Sequence, residues 1–155
     1  MKNYVDINNN IYAYESDGSQ DAFIKDELVP ISDEDLAALR APTTEQLLAQ
    51  LTLERKTQER QGVTINSIRY AGNPGNRQTL QEAITYLEDA GLTEFPTWKD
   101  SDDVFHADHP LADVKDAARA IGARRSQLIA AEGEYAAQII AGTLTDLTET
   151  EVVWP

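Results

Sequence analysis

Residues 110–142, PLADVKDAARAIGARRSQLIAAEGEYAAQIIAG, hold the longest unbroken helical pattern in the chain. The other segments read as pieces that pack on this helix or extend from it. Leu111, Val114, Ala118, Ile121, Leu128, Tyr135 and Ile139 recur at the three- and four-residue spacing of one helical face. Pro110 suits the first turn, where no amide hydrogen is required, and Gly142 suits the left-handed position that closes the last turn. At about 1.5 Å per residue the helix runs roughly 45–50 Å, longer than a compact domain of this size is wide. Its later half keeps Leu128, Ile129, Tyr135, Ile139 and Ile140, and leaving each large apolar side chain in water costs about 1.5–3 kcal/mol. A second chain is therefore expected to contact Leu128, Ile129, Arg125, Glu132, Tyr135, Ile139 and Trp154. The alternative is that the N-terminal sheet and the tail residues Leu144, Leu147, Val152, Val153 and Trp154 fold back as cover, which allows a self-sufficient monomer. Arg125 and Glu132 fall on the apolar stripe, where they either pair across an interface or mark the point at which the stripe becomes exposed.

Upstream of this helix the pattern is mixed. Tyr4-Val5-Asp6-Ile7 and Ile11-Tyr12-Ala13-Tyr14 flank Asn8-Asn9-Asn10 and read as a β-hairpin, since Asn tolerates the positive φ of tight turns. Ala22-Phe23-Ile24 and Leu28-Val29 are candidates for a third strand or for two short ones, and Tyr4, Tyr12 and Tyr14 read as cross-strand packing. Ser32 and Asp35 form a capping box, with Ile31 and Leu36 as a hydrophobic staple, for a helix over Asp33–Arg40. Ala41-Pro42 interrupts it and places a boundary there, because proline disfavours helical geometry in the residue before it. Thr43 and Gln46 cap a second helix over 44–61 that buries Leu47, Leu48 and Leu51, while residues 54–61 are all polar and read as projecting into solvent or lying along a polar interface. Gly62 ends it. A two-residue turn at Asn66-Ser67 sets Ile65 opposite Ile68 and Val63 opposite Tyr70, and a helix follows over 76–90 carrying Leu80, Ala83, Ile84 and Leu87.

The reading is an α+β protein in two parts: residues 1–41 as a β-rich unit with a short helix, and residues 43–155 as a mainly helical domain enclosing the hairpin 63–70. The expected core of the second part is Leu47, Leu51, Ile65, Ile68, Leu80, Ile84, Leu87, Trp98, Val114, Ile121 and Leu128.

Charge and composition narrow the function. The net charge of −14 is concentrated at the ends, with nine acids against two bases in residues 1–35 and eleven against five in residues 98–155. Such acidity disfavours nucleic acid and anionic membranes as partners. No cysteine is present, so no disulfide or thiolate metal site is available. No apolar run approaches the roughly 18 residues of a membrane span, and the N-terminus shows no basic and apolar leader, so a soluble, unsecreted protein is expected.

The one cluster that resembles a chemical site is Asp100, Asp102, Asp103, His106, Asp108 and His109. It fails as a calcium loop, which needs an oxygen ligand at Val104 and a glycine at Phe105, and His106 and His109 lack the glutamate and spacing of a zinc-protease helix. No metal, no cofactor and no catalytic residue is expected. Trp98 and Phe105 read as anchors fastening this acidic loop, or a strand within it, to the hairpin and helices. A Gly-x-Ser-x-Gly elbow and a phosphate-binding glycine loop are both missing, so an enzyme is not expected.

The helix ending in Glu54-Arg55 and Gln61-Gly62, the strands Val63-Thr64-Ile65-Asn66 and Ile68-Arg69-Tyr70, and Asn76-Arg77-Gln78 carry a resemblance. Trp98-Lys99, Arg124-Arg125, Ala136-Ala137 and Trp154-Pro155 continue it. From Leu47 to Pro155 the chain resembles an uncharacterised domain common in tail-fibre-associated proteins of tailed bacteriophages and prophages, in which Asn-Gly usually stands where this chain has Asn66-Ser67. Residues 1–41, with Pro30-Ile31-Ser32-Asp33-Glu34, are similar to the opening of phage tail fibre assembly proteins. The resemblance implies a non-enzymatic tail fibre assembly factor or small tail or baseplate component that docks on a fibre or baseplate protein. It also implies a place in the host cytoplasm during assembly or in the virion tail, and it leaves a homo-oligomer open. The acidic surface supports another expectation, a small phage inhibitor that occupies the DNA site of a host defence protein.

Overall fold

The architecture is α+β, with a small N-terminal sheet, further hairpins and, among the described residues, four α-helices of which the last is the long C-terminal one. A computed structural model describes residues 1–147 and 152–155, so residues 148–151 of the expected helical domain lie outside the described residues. The chain divides into two units, Met1–Thr43 and Thr44–Pro155.

In the first unit, strands β1 (Lys2–Val5), β2 (Ile11–Tyr14) and β3 (Val29–Pro30) form an antiparallel sheet in the order β2-β1-β3. Asp6 organises the first turn: its carboxylate accepts the backbone N–H groups of Asn8 and Asn10 at 2.8 and 2.9 Å and the Asn10 side-chain amide at 2.8 Å. Asn9 takes φ +62°. Hydrogen bonds from Asn10 above all hold the Asp6 carboxyl below the ordinary carboxylate range. Tyr4 and Tyr14 meet edge to face at 5.7 Å. Of the two candidates for a third strand, residues 29–30 pair with β1, while Asp21–Phe23 makes a single 3-10 turn. Helix α1 (Asp33–Arg40) begins as its capping residues predict, the Ser32 hydroxyl accepting from the Asp35 amide at 3.0 Å. Leu28 and Leu36 are the buried side chains of this unit.

The second unit contains helix α2 (Thr44–Gln61), strands β4 (Val63–Ile65) and β5 (Ile68–Tyr70), helix α3 (Pro74–Ala90), strands β6 (Glu94–Lys99) and β7 (Phe105–Pro110), and helix α4 (Leu111–Ala141). The β4–β5 register is the expected one, Val63 opposite Tyr70 and Ile65 opposite Ile68, with Asn66 and Ser67 at φ +48° and +66°. Helix α3 starts at Pro74, before the expected Asn76, because Asn73 caps it by accepting from the Asn76 amide at 2.9 Å. Gly91 and Gly142 close α3 and α4 in the left-handed conformation.

The segment expected as an acidic loop, or a strand within it, forms the second hairpin of this unit. Strand β6 pairs with β7 in one register, Phe95 with His109 through Lys99 with Phe105. Asp108, at φ +47°, stands across from Pro96, so the side-chain alternation breaks there and Phe95 and Trp98 come together, ring centroids 4.9 Å apart. Phe105 is not an anchor. It lies beyond the helical cover, 68% exposed, with the Lys99 ammonium over its ring.

Two clusters of buried residues lie along α4. Its first half packs with Tyr70, Leu80, Ile84, Leu87 and Phe95 through Leu111, Val114, Ala117 and Ile121; Ile65, Ile68 and Trp98 are half-buried against this cluster. Farther along, Ile139 packs with Leu47, Leu51, Leu144 and Val152, with Tyr135, Leu147 and Trp154 against them. The C-terminal tail therefore folds back on α2 and α4, the tail's part of the self-covered alternative.

Candidate functional site

The polar end of α2 lies along a polar interface with α4 on one face, while Lys56 and Arg60 stay exposed. Arg55, one turn before Glu59, reaches Glu59 Oε1 through Nη1 at 2.5 Å, and its Nε lies 2.6 Å from Glu132 Oε2 on α4. The second contact is ionic, since that N–H is not aligned as a hydrogen bond. Arg125 Nε stands 3.3 Å and Arg77 Nη1 3.5 Å from the Glu59 carboxylate. Glu59 is buried, and three guanidiniums surround it. Pairing Leu51 with Ile139, Arg55 with Glu132 and Glu59 with Arg125 makes α2 and α4 antiparallel neighbours. Farther along the same seam Arg124 donates to the Pro155 carbonyl at 2.7 Å, which ties down the end of the tail.

Two glycines bring the hairpin against this seam. A Cβ on Gly72 would fall 2.2 Å from the Glu59 carbonyl oxygen, and one on Gly62, at φ +72°, would fall 1.8 Å from the Tyr70 carbonyl oxygen. Backbone approaches that close admit only glycine. Sequence reading took Gly62 as a helix end and gave Gly72 no role.

The residues expected to meet a partner separate into two groups. Leu128 and Ile139 are buried within the chain, Leu128 as its place in the expected core requires. Arg125 and Glu132 pair with α2 of the same chain, not across an interface. Tyr135 stacks edge to face with Trp154 at 5.9 Å and accepts the Val153 amide at 2.9 Å, so Tyr135 and Trp154 cover each other. Of the apolar residues among the seven, Ile129 stays outward, 41% exposed, and Ile140 joins it at 70%.

Sequence reading missed what lies beside Ile129. Gly122, Ser126, Ile129, Gly133 and Ile140 follow one another at steps of four, three, four and seven residues, and all five are exposed. At about 3.6 residues per turn this keeps them on one outward stripe of α4. A Cβ added at Gly122 or Gly133 would meet nothing within 4 Å. Each glycine inside a helix costs about 1 kcal/mol relative to alanine, and no contact among the described residues requires either one. Next to the tail, Gln50, Leu53, Glu54, Thr57, Gln58, Leu147, Val152 and Trp154 line an open groove of about 550 Å³.

The histidine cluster is structural in its geometry. Asp100 accepts the backbone amides of Asp102 and Val104 at 2.8 and 2.9 Å and lies 2.8 Å from His106 Nε2, and the His106 contact leads in holding its carboxyl below the ordinary range. Arg69 forks onto Asp102 and donates to the Ser101 carbonyl, joining the two hairpins. His109 is buried, stacks on Trp98 at 5.5 Å and shares a 2.6 Å hydrogen bond with the Tyr70 hydroxyl. Among the described residues no three histidine or carboxylate side chains converge as a metal ion would need, and no helix is long and apolar enough to cross a membrane.

Residues 42–153, nearly the whole second unit, match the profile of a domain of unknown function, DUF4376. The chain belongs to the DUF4376 family. Neither the curated proteins nor the solved structures contain a match to it. The matched stretch of the DUF4376 domain contains the charged seam, both hairpins and the outward stripe of α4.

Proposed function

We propose that this protein is a non-enzymatic tail protein of a tailed phage or prophage, a tail fibre assembly factor or a small tail or baseplate component, and that it docks on a fibre or baseplate partner through the outward stripe of α4. The resemblance of residues 47–155 and of residues 1–41 to tail-fibre-associated and assembly proteins supplies the context. The observation that carries the docking surface is the pair Gly122 and Gly133, which weaken the helix and serve no contact among the described residues. A second helix crossing there could approach the backbone closely, with Ile129 and Ile140 as the flanking apolar contacts.

Co-expression with the tail fibre protein of the phage or prophage that carries it, followed by light scattering on the purified product, tests this reading. A complex of defined mass is expected. A monodisperse monomer that neither binds nor solubilises the fibre overturns it. Salt-sensitive binding to a DNA-binding defence protein of the host would then favour the inhibitor reading.

A further inference from the structure

Against its overall charge of −14, the chain carries a concentrated basic pocket. Arg55, Lys56 and Arg60 of α2, Arg77 of α3 and Arg125 of α4 line a cavity of about 250 Å³ with Glu59 on its wall. Five cations less Glu59 and Glu132, the carboxylate paired with Arg55, leave a local charge of +3. Two of these groups are held in place: the side chains of Glu59 and Arg55 are only 7% and 12% exposed. Arg77 is oriented by donating to the Gly72 carbonyl at 3.1 Å. Lys56 and Arg60 are exposed and make no ion pair among the described residues, so their donors face the cavity or solvent unspent.

We propose that this cavity binds a small dianionic oxyanion of the phosphate class, either inorganic phosphate or the head of a small phosphomonoester. Guanidinium forks match the geometry of phosphate oxygens, and a dianion brings the local charge of +3 down to +1 without reversing its sign. The volume admits a phosphate with a few further atoms and no more. Nucleic acid is the wrong ligand, because a polyanion that extends out of the cavity also meets the field of a chain with net charge −14. A small ligand sees mostly the charges within a Debye length, about 8 Å at physiological salt. Glu59 acts as the internal counterion that keeps three arginines together while the site is empty of ligand.

The test uses the full chain at pH 7.5, with calorimetric titration and thermal melting in inorganic phosphate, in glycerol 3-phosphate, and in sodium chloride of matched ionic strength. A saturable rise in Tm with phosphate and none with chloride is expected. The double variant Lys56→Gln/Arg60→Gln removes two exposed, unpaired cations; it should melt like the wild type in chloride and bind phosphate at least tenfold more weakly. Tighter binding of glycerol 3-phosphate assigns a phosphomonoester, and equal or weaker binding assigns free phosphate. The absence of saturable binding by either probe, or a double variant that binds as the wild type does, overturns the proposal.

Discussion

The Tyr70 hydroxyl stands 2.6 Å from Nε2 of His109, and both side chains are buried. Burial pushes the Tyr70 hydroxyl up to about 12, and burial is also the leading cause that lowers His109 below its ordinary value. His106 pushes His109 the same way and Asp113 opposes. Because the folded value is the lower one, the unfolded chain takes up the proton first as pH falls. Stability from His109 is thus complete above about pH 6.5 and is lost progressively below it. Thermal melts across pH 5–8 should show Tm falling on the acid side, and His109→Gln should flatten that part of the profile. Tyr70→Phe, which strands a buried ring nitrogen, should cost about 1–3 kcal/mol by denaturant unfolding.

Ser67 occupies the second central position of the β4–β5 turn at φ +66°, beside Asn66 at φ +48°. A turn with both central residues left-handed favours Asn-Gly, and a non-glycine residue in that region is strained by about 1–2 kcal/mol. Part of the relief is offset by the greater freedom of glycine in the unfolded chain. Ser67→Gly should therefore stabilise the protein by about 0.5–1 kcal/mol in urea melts, and Ser67→Val should destabilise it.

Glu59 faces Arg55, Arg77 and Arg125. Removing its charge leaves three guanidiniums close together with only Glu132 to offset them. Glu59→Gln should cost about 3 kcal/mol, the scale for breaking a buried ion pair from one side, and the loss should shrink with added salt. Glu132→Gln, whose partner Arg55 keeps Glu59, should cost less.

Residues 44–155 hold both large buried clusters, while Leu28 and Leu36 serve the first unit. A fragment lacking residues 1–43 should still unfold in one cooperative step by calorimetry. A soluble fragment without a heat-absorption peak would contradict the two-unit division.

Local signals were legible in the sequence wherever one residue type has one physical use. Ser32 as a cap, the Asn66-Ser67 turn, and Gly91 and Gly142 as helix ends lie where their chemistry requires. The β6–β7 hairpin was hidden because Pro96 and Asp108 break the alternation that identifies strands. Arg125 and Glu132 were noticed as charges on an apolar stripe, but nothing local reveals that Glu59 and Arg55 of a distant helix answer them. The tail behaves similarly. Leu144 and Val152 could have covered α4 or left it to a partner, and only the packed structure decides. Gly122 and Gly133 escaped reading because their interest lies in what they do not touch.

The most direct measurement of the docking claim combines stability with binding for the variant Gly122→Leu/Gly133→Leu. Both positions point into open space, and leucine is the better helix former, so the isolated variant should melt at or above the wild-type temperature. On co-expression with the tail fibre protein, light scattering should show the complex with the wild type and its loss, or at least a tenfold weaker association, with the variant. A variant that forms the same complex as tightly as the wild type would contradict docking through the outward face of α4.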